Sequence, residues 1–116
     1  MRITTLKATN MDLTDAIRAY VDEKVEQLKK LCGEFDPADT LQVEVGKSTR
    51  HHAKGPYFRA EMFLHLPGAD LRSEEESEDL YEAIDRVRDH LRRQISDYKD
   101  KRTDRSQKAK RPGKDI

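Results

Sequence analysis

Apolar positions recur at steps of three and four in two stretches of the chain and at steps of two in others, and this alternation sets out its elements. In Asp79 to Arg102, Leu80, Ile84, Val87, Leu91, Ile95 and Tyr98 fall on one side of a helix, a stripe that has to be buried. In Thr14 to Cys32, Ile17, Val21, Val25, Leu28 and Leu31 do the same, with Thr14 as cap, Asp15 in the first turn and Gly33 past the end. Leu41, Val43 and Val45 alternate with Gln42 and Glu44 up to Gly46, which reads as a strand with one buried face. Tyr57 to Leu66 repeats the pattern, with Phe58, Ala60, Met62, Leu64 and Leu66 on one face and Arg59, Glu61 and His65 on the other. Met1 to Ala8 is a shorter strand rich in β-branched residues, with Ile3 and Thr5 on one parity and Leu6 and Ala8 on the other.

Punctuation completes the order. Asn10 and Asp12 mark a turn before the first helix, and Asp36, Pro37 and Asp39 break the chain after it. Lys47 to Pro56 holds bases and histidines with no acid and ends in Gly55-Pro56, so it reads as a basic loop. Pro67-Gly68 supplies a turn, and Ala69 to Glu75 is a fourth strand held chiefly by Leu71 and its pairing. The fold class is α+β, in the order β-α-β-β-β-α. Strands one and two, joined by a helix, are expected to run parallel with a right-handed crossover, and the rest as an antiparallel meander. One apolar stripe per helix and one apolar face per strand pack most simply as two helices on one face of a four-stranded sheet.

A chain of 116 residues makes one domain with one modest core. The charged fraction is 40%, against roughly 25% in typical globular chains, yet the net charge is zero, so attraction to a polyanion must come from local segregation. Segregation is present: Glu74 to Asp85 holds seven carboxylates and no base, while Arg86 to Lys114 holds twelve bases against four acids. Acids near a helix start and bases near its end are favoured by the helix dipole, so the pattern alone does not require a ligand. Residues 103–116 have almost no large apolar side chains and read as a basic, disordered tail to a domain spanning 1–102. The single Cys32 excludes an intramolecular disulfide framework, and MRITTLKATN is not a signal peptide, so the expected location is the cytoplasm.

Little here points to catalysis. Arg50, His51, His52 and Lys54 are a poor metal-ligand set, lacking a cysteine or a positioned carboxylate, and read as a solvated loop. Glu74 to Glu78 reads as a solvated flank ahead of the second helix, and Cys32 as partly buried packing. With no phosphate loop, nucleophile motif or metal signature, the expectation is a protein that is not an enzyme and uses no cofactor, metal or small-molecule substrate.

The segments LTDAIRAYVDEKVEQLKKL (13–31), RAEMFLHLPG (59–68) and DLYEAIDRVRDHLRRQ (79–94) resemble the ribosome hibernation promoting factors, also called ribosome-associated translation inhibitors or sigma-54 modulation proteins. DLYEAID followed by L-x-R-Q is the most specific part of the likeness. The resemblance implies a β-α-β-β-β-α domain similar to double-stranded RNA-binding domains, docking on the small ribosomal subunit and its rRNA where tRNA and mRNA would sit. It implies a monomer away from the ribosome and, since long members add a second domain after a linker, a short member here.

Binding folded RNA requires cations along a rigid face, because each neutralised phosphate releases counterions and the deep groove of an A-form helix is closed to side chains. On the first helix Lys24 lies inside the apolar stripe, so its stem covers core and its amine must snorkel outward. The resemblance implies RNA contact there, since the family carries a base at that position. Arg18, Lys29 and Lys30 read first as solvated charges, with Lys29 and Lys30 kept as candidates. On the second helix the candidates are Arg86, Arg88, His90, Arg92, Arg93, Lys99, Lys101 and Arg102. Arginine suits RNA through its planar, bidentate fork. Arg93 and Lys101 stand where the family has bases; His90 and Asp97 replace bases frequent in it and weaken that edge of the patch.

Three functions fit: a translation inhibitor acting by steric exclusion, a general double-stranded RNA binder, and an interaction module whose second helix pairs with a partner helix. The apolar stripe of that helix is consumed by the core, which argues against the third.

Overall fold

The computed structural model describes residues 1–32, 39–48 and 57–109, the side chains of Cys32 and residues 102–109 excepted. The elements are β1 (Arg2–Thr9), α1 (Asp15–Cys32), β2 (Thr40–Lys47), β3 (Phe58–Leu66), β4 (Ala69–Ser77) and α2 (Leu80–Ala109). The strands lie in chain order, with β1 parallel to β2 and β2, β3 and β4 successively antiparallel. Both helices cover one face. Ile17, Val21, Val25 and Leu28 of α1 and Leu80, Ala83, Ile84, Val87, Leu91 and Ile95 of α2 form one cluster with Leu41, Val43, Val45, Ala60, Met62, Leu64 and Leu66. The alternation in β2 and β3 therefore marks the buried face, as expected.

The helix starts are fixed locally. Ile17 N–H donates to Thr14 Oγ1 at 3.2 Å, and Tyr81 N–H donates to Asp79 Oδ1 at 2.9 Å, so Thr14 and Asp79 each satisfy an otherwise orphaned donor. The β3–β4 turn is Pro67-Gly68, with Gly68 at φ 75°; proline presets the first central position and glycine accepts the left-handed second. Asn10 takes φ 60° between β1 and α1, a conformation that asparagine tolerates.

The structure departs from the sequence reading in four places. A register shift between Ile3 and Thr5 sets Ile3, Leu6 and Ala8 opposite Leu41, Val43 and Val45, so these three share the core face despite their differing parity. β4 continues past Glu75 to Ser77, so Glu76 and Ser77 are strand residues paired with β3, and the acidic run is mostly strand rather than a flank of α2. Leu31 is 63% exposed and does not join the stripe of α1. α2 runs to Ala109, so 103–109 continue the helix that the apolar stripe would have ended near Arg102. Gly33, Asp36, Pro37, the loop residues Arg50, His51, His52 and Lys54, and 110–116 lie outside the described residues, as does the side chain of Cys32.

Candidate nucleic-acid interface

The two helices run side by side in the same direction, and polar contacts give their register. The Tyr20 hydroxyl donates to Asp85 Oδ1 at 2.8 Å, Lys24 Nζ lies 3.5 Å from the same oxygen, and Arg88 Nη1 donates to Gln27 Oε1 at 2.7 Å. Partners rise together along both helices, with an offset of 61 residues between Gln27 and Arg88 and of 65 between Tyr20 and Asp85, one turn apart. Lys24 and Asp85 keep the same offset, since 85 less 24 is again 61. Carried one turn further, that offset places Lys30 and Leu31 level with residues 91 and 92. The end of α1, with Lys29 and Lys30, consequently lies level with the middle of α2, around Arg92 and Arg93.

The eleven sequence candidates do not form one patch. Lys24 and Arg88 sit in the seam between the helices, with side chains only 15% and 16% exposed. Lys24 is held by Asp85 and stands 4.8 Å over the Tyr20 ring, and Arg88 also donates Nη2 to Asp89 Oδ1 at 2.8 Å. Lys29 pairs with Glu26 at 3.0 Å. Arg86 and His90 point to the opposite flank of α2, over β4. Arg86 pairs with Glu82 and donates Nη1 to the Glu76 carbonyl at 3.2 Å, while His90 Nδ1 lies 3.6 Å from Glu75 Oε1 with no hydrogen bond. Lys101 belongs to that flank too, lining a groove of about 400 Å³ with Gly68, Ala69, Leu71, Gln94, Asp97 and Tyr98.

Lys30, Arg92 and Arg93 remain. They are exposed, and no ion pair or hydrogen bond engages them among the described residues. Arg92 lies one turn beyond Arg88 on the flank facing α1, and Arg93 is turned outward. Lys99 continues the flank of Arg88 and Arg92, and the side chain of Arg102 lies outside the described residues. The three free cations are thus contributed by both helices at the same level, an arrangement a phosphate backbone can span.

Tyr20, Gln27 and Asp85 were not singled out from the sequence. No local signal pairs them, since Tyr20 and Asp85 stand 65 residues apart. The Tyr20 ring also meets the Tyr81 ring edge-on at 4.7 Å and 79°. Burial, together with the hydrogen bond to Asp85, pushes the Tyr20 hydroxyl up to about 12 from its ordinary 10.0, so it stays a proton donor.

The open face of the sheet has different electrostatics. Glu61 Oε2 accepts from Arg59 Nη2 at 2.9 Å and from Arg72 Nη2 at 2.6 Å, and Arg59 Nη2 reaches Glu74 Oε2 at 2.8 Å. Thr9 donates to Glu44 Oε2 at 2.6 Å beside them. The hydrogen bond from Arg59 holds the Glu74 carboxyl below its usual range, and Glu74 and Glu61 hold the Arg59 and Arg72 guanidinium groups, respectively, more firmly charged. Arg59 and Arg72 are thus committed to glutamates. Among the described residues no cluster of three or more histidine, cysteine, aspartate or glutamate side chains is placed to hold a metal, and no helix is long and apolar enough to cross a membrane.

Comparison with known proteins gives a consistent picture. A family model described as Sigma 54 modulation protein / S30EA ribosomal protein matches residues 4–103. The ribosome hibernation promoting factor of Azotobacter vinelandii is 37% identical over 97 residues, covering 84% of this chain and 82% of the relative. The ribosome hibernation promotion factor of Deinococcus radiodurans is 35% identical over 101 residues, covering 85% of this chain but only 50% of that longer relative. Among solved structures, the N-terminal domain of Thermus thermophilus Protein Y matches with a TM-score of 0.67 and 37% identity, over 84% of this chain and 99% of that one. A ribosomal subunit interface protein from Coxiella burnetii, 19% identical with a TM-score of 0.66, shares the fold. A family model spanning most of the chain, joined to a relative 37% identical over 82% of its length, shows that this chain belongs to the Sigma 54 modulation protein / S30EA ribosomal protein family.

Proposed function

We propose that this chain is a ribosome hibernation factor: a rigid plug that docks on the rRNA of the small ribosomal subunit and occupies the channel used by tRNA and mRNA. The reading is carried by Lys30, Arg92 and Arg93, exposed and without ionic partners among the described residues, which the register of the parallel helices puts at about the same level. The names of the relatives support the ribosome as partner. Inhibition by occupancy needs no bond making, only a shape that excludes the other ligands and cations that hold it there.

The contact set in this reading is narrower than the eleven residues with which the sequence begins. Lys30, Arg92 and Arg93 form its centre and Lys99 extends it, while Lys24 and Arg88 serve the seam and Arg86, His90 and Lys101 border β4. The protein acts as a monomer through residues 1–102, and the bases beyond add long-range attraction. Its place of action is the cytoplasm, with its ribosomal partner.

Co-sedimentation with purified small subunits, at low and high salt, tests the proposal. The protein should pellet with subunits at low salt, be displaced by tRNA, resist competition by an equal mass of naked duplex RNA, and detach steeply as salt rises. Equal competition by naked duplex would replace the reading with a general RNA binder. Salt-independent binding would remove the charge-based docking altogether.

A further inference from the structure

A single carboxylate organises the seam between the helices. Asp85 of α2 accepts from the Tyr20 hydroxyl at 2.8 Å and lies 3.5 Å from Lys24 Nζ, both on α1. Lys24 in turn lies over the Tyr20 ring, and that ring meets Tyr81 edge-on. Below the seam Val21, Val25, Ile84 and Val87 are fully buried. Apolar contact of this kind resists separation of the helices but tolerates sliding and rotation, because ridges and grooves pack over a range of angles. A hydrogen bond weakens within a few tenths of an ångström and a few tens of degrees, so the polar contacts define the register more sharply than the apolar layer.

We propose that Asp85 is a positioning residue for RNA docking, fixing the register of α1 against α2 so that Lys30 stands beside Arg92 and Arg93. The inference rests on the reading above that these three cations meet rRNA. Slippage of α1 by one turn, about 5.4 Å, would bring Lys30 level with Arg88 or Ile95 and split the cation group. Asp85 can sit so close to a phosphate-facing surface because Lys24 neutralises it in place; an unpaired carboxylate there would repel the backbone it is meant to help bind. Lys24 and Arg88 therefore contribute to docking through the seam.

The test combines a distance and a salt slope on the full chain. Spin labels are placed through Lys30→Cys and Arg93→Cys in a Cys32→Ser background, with and without Asp85→Asn, and ribosome binding is measured on unlabelled Asp85→Asn below its thermal midpoint. The expected result is a label separation in Asp85→Asn that broadens or shifts by several ångströms, with the slope of log affinity against log salt shallower by about one phosphate contact. A variant that merely destabilises the fold would lower the midpoint and leave both readings unchanged. Tyr20→Phe keeps the ring against Tyr81 and deletes only the hydroxyl; it should give a smaller shift of the same sense, and it takes the place of Asp85→Asn if that variant does not fold. An unchanged separation overturns the proposal, and so does a changed separation with unaltered binding. If the parent protein does not bind ribosomes, the docking reading falls with it, while the label separation still shows whether Asp85 sets the register.

Discussion

A Cβ built on Gly46 would stand 2.3 Å from the carbonyl oxygen of Thr9, so β2 lies against β1 at a distance only glycine allows. Gly46 pairs with Thr9 across the parallel ladder and with Arg59 across the antiparallel one. The obstruction is backbone, which cannot swing aside as a side chain could. Gly46→Ala should therefore cost about 1–3 kcal/mol of unfolding free energy, the range for forced overpacking. Chemical denaturation checks this, and a variant as stable as the parent would show that β1 shifts freely.

The second helix supplies the middle of the core, and Leu91 has no accessible surface. Leu91→Ala should lower stability by about 2–5 kcal/mol through lost burial and the cavity left behind. Leu31→Ala, at a position 63% exposed, should change it little, which reverses the equal weight that helical spacing gives the two residues.

Glu61 is the acceptor shared by Arg59 and Arg72 on the open sheet face. Glu61→Ala should lower stability modestly, since Arg59 keeps Glu74 while the exposed Arg72 loses its main acceptor; chemical denaturation reads the change. Glu74 adds a pH dependence. Its carboxyl is held below the ordinary 4.5 by Arg59, so its stabilisation is complete above pH 4.5 and fades as pH falls through the lower folded value. Acid unfolding monitored by circular dichroism should show Glu74→Gln losing less stability than the parent over that interval.

Tyr20 works in the opposite direction. Its hydroxyl is raised from 10.0 to about 12, so the fold gains fully from it below pH 10 and loses that gain as pH climbs through about 12. Thermal midpoints of the parent should fall across this alkaline window, and Tyr20→Phe should flatten that part of the curve. An identical fall in both proteins would mean that the hydrogen bond to Asp85 does not favour the protonated phenol.

Docking should discriminate between the two flanks of α2. Arg92→Gln and Arg93→Gln should each reduce the salt slope of ribosome binding by about one, the signature of a lost phosphate contact. Arg86→Gln, on the β4 flank with Glu82 and the Glu76 carbonyl as partners, should leave the slope as it is. Double replacement of Arg92 and Arg93 by Glu should abolish co-sedimentation without lowering the thermal midpoint. Equal effects at Arg86 and Arg92 would put the contact on the wrong side of the helix in our reading.

Periodicity alone determined the order of elements, the buried faces of β2 and β3, the Thr14 cap and the Pro67-Gly68 turn, because each depends on residues within a turn or a pleat of one another. The alternation rule failed at β1, where a bulge brought Ile3 onto the same face as Leu6 and Ala8. It stopped short at Glu76 and Ser77, whose place in β4 is decided by pairing with β3 rather than by their own preference for solvent. The basic character of α2 was legible as a count of charges, but which charges stay available was not. Arg86 and Arg92 are both arginines of α2, but Arg86 pairs with Glu82 one turn earlier on the same helix and donates to the Glu76 carbonyl of β4, while Arg92 is turned toward α1 and finds no partner among the described residues. The Glu82–Arg86 pair stands at a spacing of four and is legible locally; which flank of α2 faces α1 is set by contacts 61 and 65 residues apart that no local pattern encodes.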